Sequence, residues 1–431
     1  MSREVSYPRG SSQMIPQARP FDLLFAEMKK EKNNMTAAER MFKTLNFEKL
    51  DGGGAFAETF FPWDLSVDRW VQEGLPEKFT SSYLYPMPKE RYMRYFNDLM
   101  TEHVYEYEQF LGYDGVKRMS FCIPFKGFDE KILEDNEEYI LKMDEDGWQR
   151  AYYKKRSLVK EIKPVVDGEE AWERLKENTL REIEKYCTDE NLQRTYGKYK
   201  EGHERGDFSI RFRASGFFWT PRELMGVEEQ LMAFYEMPEL IHEINDFILK
   251  IYLHFFDKIF DIIKPDVLLF PEDLSGANGP MISPGMFDEF VGSYYEKLIP
   301  FLKKKGVKNV FVDTDGDFRQ LIPNFRKAGV DGFLPMDVNA GMDIVKVREE
   351  FPDIKFIGAY NKLVIAEGEE AIDREFQRLL PVIRQGGYVP GADHQVAPST
   401  SFQNYMYYIK RLKEVMQQAG ADSKKVSESC G

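Results

Sequence analysis

Cysteine is scarce in this sequence of 431 residues: Cys122, Cys187 and Cys430 are the three, and no two form a CxxC pair. That spacing excludes a disulfide framework and a four-thiolate zinc site, and it fits a reducing, cytoplasmic setting. Histidine is almost as rare, with five in the chain, and there is no HExxH or other close pair. Neither GxGxxG nor GxxxxGK[ST] occurs, so no glycine-rich loop is present to cradle a dinucleotide or nucleotide phosphate. Nowhere do about 18 consecutive apolar residues follow one another, which argues against a membrane span. The opening MSREVSYPRGSSQMIPQARP has no apolar core of the signal-peptide kind. Positive charge is also in deficit: 73 acidic residues against 59 basic give a net charge of −14. Nucleic acid and anionic membranes are repelled by such a balance, and a small-molecule substrate is the expected partner.

What is present suits a globular enzyme. The 42% apolar and 14% aromatic content can bury a sizeable core. Thr36 and Glu39 have capping-box spacing, so a helix is expected from near Thr36 through MTAAERMFKTLNFEKL. Three strands are read next: Ala55 to Phe61, Arg118 to Phe125, and the alternating FSIRFRA from Phe208 to Ala214. Tyr139 to Met143 and Trp148 to Tyr153, around Asp144 to Gly147, read as an inserted β-hairpin. After Phe208 the chain repeats helix-then-strand five times, ending in PDVLLFPED, VKNVFVDTDGD, VDGFLPMDV, DIKFIGAY and YVPGADH. Parallel pairing is implied, because parallel neighbours need crossover connections. The expectation is therefore an α/β fold: a single (β/α)₈ TIM barrel spanning 35–418, with an N-terminal tail or helical extension over 1–34 and a loose C-terminal tail over 419–431.

In such barrels the chemistry sits just past the C-terminal ends of the strands. The polar residues there are Glu272 and Asp273; Asp313, Asp315 and Asp317; Asp337; Tyr360 and Asn361; and Asp393 and His394. Asp313 and Asp315 stand two apart and share a face if the strand continues. With His394 they make either a divalent-metal site or a group that shares a proton. Asp317 is read as the cap of the helix after Asp315-Gly316. His394, in a loop beside a carboxylate, is a sensible general acid or base. His103, His203, His242 and His254 are read as structural or solvated. Arg211 and Arg213 share one face of FSIRFRA: turned inward they would bind an anionic substrate group, turned outward they would pair with acids on the helices. The loop GFFWTP, with Trp219, either roofs a planar ligand or packs a lid.

Four stretches, PEDLSGANGPMISPGMFDEFV, VDTDGDFRQLIP, KAGVDGFLPMDVNAGMD and GGYVPGADHQVAPSTSFQNYMYY, resemble the uroporphyrinogen decarboxylase superfamily. The similarity extends from MTAAERMFKTLNFEKL to YIKRL. It implies a (β/α)₈ barrel and two activities: decarboxylation of a tetrapyrrole, or methyl exchange with a corrinoid protein. The decarboxylases carry an arginine-rich segment like PVWxMRQAGR, where this chain has GGGAFAETFFPWDL without arginine. The coenzyme M methyltransferases use a zinc site with a His-x-Cys and a later Cys. Here Asp313-Thr314-Asp315 and Asp393-His394 stand in those places, which replaces thiolates by hard oxygen ligands.

The resemblance thus implies a methyltransferase that moves methyl from a small methyl donor, aromatic or not, to a corrinoid supplied by a partner protein, with no cofactor attached covalently. Asp315, His394, Asp313 and Glu272 would be its catalytic cluster, or its ligands for zinc or another divalent metal. Arg211, Arg213, Trp219, Asp337 and Tyr360 would be its substrate contacts. The alternative is a decarboxylase of uroporphyrinogen or another polycarboxylic acid. A barrel kept only to bind a partner protein is disfavoured by the density of polar groups at the rim. A homodimer is compatible with the sequence but is not specified by it.

Overall fold

The computed structural model describes residues 35–48, 50, 53–85, 98–154 and 159–429. The N-terminal tail expected over 1–34 lies outside them.

The strands follow in chain order. β1 is Val116–Ser120. Four short strands come next, β2 (Lys131–Asp135), β3 (Tyr139–Met143), β4 (Gln149–Tyr153) and β5 (Val159–Lys163). β6 (Ser209–Arg213) and β7 (Val267–Pro271) precede a two-residue pair, β8 (Ser275–Gly276) with β9 (Gly279–Pro280). β10 (Val310–Asp313), β11 (Gly332–Leu334), β12 (Lys355–Tyr360) and β13 (Tyr388–Ala392) complete the set. β1, β6, β7, β10, β11, β12 and β13 form one seven-stranded sheet in that order. Every neighbour in it is parallel. Each connection from β6 onward contains a helix, as the repeated helix-to-strand pattern of the sequence requires.

Strand alternation sorts the side chains into two layers. Val116, Leu269, Phe311, Leu334, Ile357 and Val389 gather on the inner face. Phe212, on the other face of β6, packs against Phe256 and Phe260 of the covering helix Pro238–Ile262.

Among the described residues the parallel sheet has seven strands where the sequence suggested eight. The expected first strand, Ala55 to Phe61, is largely buried but builds no ladder. Side chains satisfy its main chain instead. The Ala55 N–H donates to Thr44 Oγ1 at 2.8 Å and the Phe56 N–H to Asp114 Oδ2 at 2.9 Å. Arg118 of β1 donates to the Glu58 carbonyl at 3.3 Å, and the Ala392 N–H at the end of β13 donates to Glu58 Oε1 at 2.8 Å. The two edge strands of the sheet therefore meet the same segment, and the sheet curls into a TIM-barrel-like wall.

The helix expected near Thr36 runs over Ala37–Leu45 with both halves of its capping box formed. The predicted hairpin is present as β3 and β4, and it is the centre of a four-stranded antiparallel sheet ordered β2-β3-β4-β5. The last helix, Phe402–Ser429, continues through most of the stretch expected as a loose tail. Its sequence there, ADSKKVSES, contains no proline to stop it. Among the described residues no helix is long and apolar enough to cross a membrane.

Candidate active site

The alternation that buries Phe212 against the helices turns Arg211 and Arg213 to the inner face. Parallel register sets Arg118 of β1 beside Arg211, and Ser120 beside Arg213. Arg211 is buried and donates to the Thr59 carbonyl at 2.8 Å. Burial, with Arg118 nearby, pulls its pKa down to about 9. Arg118 is buried as well and pairs with the equally buried Glu108 at 2.7 Å. Arg213 lies nearer the mouth.

Opposite these cations are the turns after β7 and β10. Asp273, Asp313 and Asp315 each offer a carboxylate oxygen, and the three oxygens lie within 4.8 Å of one another. Asp273 has a left-handed backbone, φ 39°, and accepts from the Asp315 N–H at 3.4 Å. Like charges this close cannot all ionise freely. Burial and then Asp273 push Asp313 up to about 7, against the opposing charge of Arg213. Burial and Asp315 likewise raise Asp273.

The turn after β13 brings His394, whose Nε2 is 3.0 Å from Asp315 Oδ1. Its Nδ1 is buried without a hydrogen bond, 3.8 Å from Asp393 Oδ1. Burial favours the neutral ring, but Asp315 and Asp393 outweigh it and lift the imidazole to about 10. Phe60 stacks on the ring at 6.3 Å between centroids. Asp393 accepts from the N–H groups of Val338 and Lys362 and so ties together the turns after β11, β12 and β13. Asp337 joins Asp393 and His394 in a second group of ligand atoms within 4.8 Å. It also accepts from the Asn339 and Ala340 N–H groups, capping a short turn.

Two expected site residues are placed elsewhere. Glu272 is fully buried and accepts from the N–H groups of Phe217, Phe218 and Trp219 and from the Tyr295 hydroxyl. A carboxylate committed to four donors is an anchor for the GFFWTP loop and is not part of the acid cluster. Gly216 leaves it room, since a Cβ there would sit 2.1 Å from the Glu272 Cδ. Tyr360 is also fully buried. Its hydroxyl donates to the Ile372 carbonyl, and its ring packs on Phe376 and Tyr408 in the helix layer. It stands three residues after the inward Ile357, which puts it on the outer face. Asp317 accepts from the Arg319 N–H and guanidinium, but the short turn that follows spans Arg319–Leu321 with Phe318 at its N-cap, so the expected cap of a helix beginning at Phe318 does not form.

A cavity of roughly 560 Å³ opens between the segments that follow β1 and β6 and the inserted sheet, beside the acid cluster, none of whose residues lines it. Arg213, Cys122, Trp219 and Tyr252 line the barrel side, and Trp148, Arg150 and Tyr152 line the sheet side. Arg150 is held by Asp144 and Asp146 at 2.9 Å each. A second cavity of roughly 470 Å³, bordered by Arg326 and Lys355, lies where β12 begins, at the end of the strands opposite the acid cluster.

Sequence reading missed Glu58 and Arg118 as members of this assembly. The signal for Arg118 was its register with Arg211, which a single sequence does not reveal.

The family model for uroporphyrinogen decarboxylase (URO-D) matches residues 215–415. No curated protein sequence matches the chain. Among solved structures, a methyltransferase from Methanosarcina mazei aligns over 88% of this chain and 99% of its own, with a TM-score of 0.54 at 12% identity, a likeness of fold. A protein described as a vitamin-B12-independent methionine synthase from Listeria monocytogenes aligns over 50% of this chain and 64% of its own at 14% identity, with a TM-score of 0.27, too low to support any inference. Residues 215–415, the part matched by the uroporphyrinogen decarboxylase family model, hold β7 to β13 and the whole acid cluster, and include the four stretches whose motifs resemble that family.

Proposed function

We propose that this chain is a methyltransferase of the corrinoid-linked branch of the superfamily, taking methyl from a small, aromatic donor and passing it to a corrinoid carried by a partner protein. The observation that carries this reading is the gathering of Asp273, Asp313 and Asp315 at the strand ends, with His394 on Asp315 at 3.0 Å; Arg213, whose charge acts on Asp313, and Trp219 line the neighbouring cavity. The fold shared with the methyltransferase from Methanosarcina mazei supports it.

A methyl group leaves an ether oxygen readily only when that oxygen is protonated or bound to a Lewis acid. His394, kept protonated by Asp315, is the chain's own proton donor to the leaving oxygen. Arg213 holds an anionic group of the donor molecule, and the indole of Trp219 offers its flat face to the ring. Asp313 has no hydrogen-bond donor for its carboxylate among the described residues and stands between two other acids, so the group fits a hard divalent cation. Asp273, Asp313 and Asp315 would hold zinc or a similar ion, without Glu272 and with His394 left as the proton donor. Such an ion supplies Lewis-acid polarisation of the leaving oxygen when bound.

The test is elemental analysis of dialysed protein together with turnover of a panel of methyl ethers in the presence of a corrinoid protein, on the wild type and on Asp315→Asn and His394→Ala. Methyl transfer that both variants lose is the expected result. Equal turnover by all three proteins would overturn the role of the cluster.

The inward arginines favour a second reading, decarboxylation of a polycarboxylic acid, with Arg211 or Arg213 holding a carboxylate and His394 protonating carbon. Carbon dioxide released from uroporphyrinogen without any corrinoid would establish it over methyl transfer.

A further inference from the structure

We propose that Glu58 is a positioning residue for this site: its carboxylate fixes the strand end that carries Asp393 and His394, while its main chain holds the inward arginines. The inference rests on the acid cluster being the reactive centre.

Glu58 is 2% exposed. Its Oε1 accepts from the Ala392 N–H at 2.8 Å and from the Thr59 N–H at 2.9 Å. Its Oε2 accepts from the hydroxyls of Tyr408 at 3.1 Å and Tyr113 at 3.3 Å. Ala392 is the last residue of β13, and Asp393 and His394 follow it directly. A carboxylate bonded there sets where the turn begins, and a turn beginning elsewhere would carry the imidazole away from Asp315. The neighbouring Gly391 is packed flush against the same segment, because a Cβ there would lie 2.4 Å from Thr59 Oγ1 and 2.7 Å from Glu58 Oε1.

The main chain of the segment faces the other way. The Glu58 carbonyl accepts from Arg118 at 3.3 Å and from Arg211 at 3.5 Å, and the Thr59 carbonyl accepts from Arg211 at 2.8 Å. One buried dipeptide therefore spans the sheet edges and meets both the cationic and the acidic side of the mouth. Glue that merely closes the sheet would need hydrophobic contact only. Four donors converging on a carboxylate, in a place where burial penalises charge, specify a geometry.

Three variants separate positioning from closure. Glu58→Gln keeps an acceptor for Ala392, Glu58→Ala removes it, and Gly391→Ala pushes the two segments apart with Glu58 intact. Amide hydrogen exchange at Ala392 and Asp393 and the ring NMR signals of His394 at fixed pH report the geometry. Steady-state kinetics per folded molecule report the consequence. In Glu58→Ala and Gly391→Ala, exchange at Ala392 and Asp393 rises about ten-fold relative to the helix Pro238–Ile262. The His394 signals shift, and kcat falls about 10- to 100-fold, as for other outer-shell supports. KM stays within about two-fold, because the carbonyls that hold the arginines are main chain. Glu58→Gln recovers most of kcat.

A folded Glu58→Ala with a lowered melting temperature but wild-type His394 signals and kcat would overturn the proposal and leave Glu58 as glue. If Glu58→Ala does not fold, Gly391→Ala and Glu58→Gln decide by the same readings. Should the wild type turn over no methyl donor, the proposed activity fails, while exchange and ring signals still decide the role of Glu58.

Discussion

On β1 and β6, Arg118 and Arg211 direct their donors to Glu108 and to the carbonyls of Glu58 and Thr59. Across the mouth, on the turns after β7 and β10, three carboxylates crowd together, with the His394 imidazole on Asp315, Arg222 at 3.8 Å from Asp273 and the more distant charge of Arg213 as partial relief. Both sides are charged and both lie at the same end of the sheet. They differ in compensation. The deep arginines are matched by acceptors and behave as scaffold, because a buried charge is tolerated only when paired. The acids are under-matched, and that imbalance gives a site an appetite for a proton or a cation.

The contrast would be broken most visibly at Arg118. Arg118→Met leaves Glu108 buried without its partner and is expected to cost about 3–5 kcal/mol of stability, read from urea unfolding. Undiminished stability would remove Arg118 from the scaffold.

Asp315→Asn sharpens the other side. Its side chain is 48% exposed, so the free energy of unfolding should change by less than about 1 kcal/mol. Turnover should fall about 10²-fold or more as His394 loses its partner. A variant that unfolds instead would place the acids among the scaffold too.

The smallest expected effect is a slope. Asp313 titrates near 7 in the fold against 3.8 in the unfolded chain. The folded state therefore binds more protons between those values, and metal-free stability falls as pH rises through that window. Asp313→Asn should flatten the decline by on the order of 1–2 kcal/mol, after allowance for solvent at the rim. Equal slopes in wild type and variant would show that Asp313 ionises without penalty.

The parts written as local periodicity were legible in the sequence. The capping box at Thr36 and Glu39, the helix-to-strand repeat after Phe208 and the β3–β4 hairpin all depend on near neighbours, and all formed. FSIRFRA showed that Arg211 and Arg213 share a face but not which one, since that depends on Phe256 and Phe260 far along the chain. Tyr360 was within reach of the same alternation rule, because its parity opposes that of Ile357. Glu272 was not. It directly follows β7 beside Asp273, and only the backbone of Phe217 to Trp219, more than fifty positions earlier, distinguishes anchor from acid cluster. The segment from Ala55 to Phe61 has the composition of a strand, yet its partners proved to be the side chains of Thr44 and Asp114. Pairing of that kind leaves no mark in a periodicity.

The inserted sheet is one contiguous stretch between β1 and β6, and it supplies Trp148, Arg150 and Tyr152 to the cavity without contributing a strand to the seven-stranded ladder. Under the proposed function, part of recognition is thereby encoded in a length of chain separate from the acid cluster, the rest coming from Arg213 and Trp219 of the barrel. Under that reading, exchanging residues 131–163 for another small sheet is expected to change which molecule the cavity accepts, while the acid cluster, over a hundred positions later, stays as it is. A scaffold divided in this way can acquire new substrates by cassette, without inventing a new reaction each time.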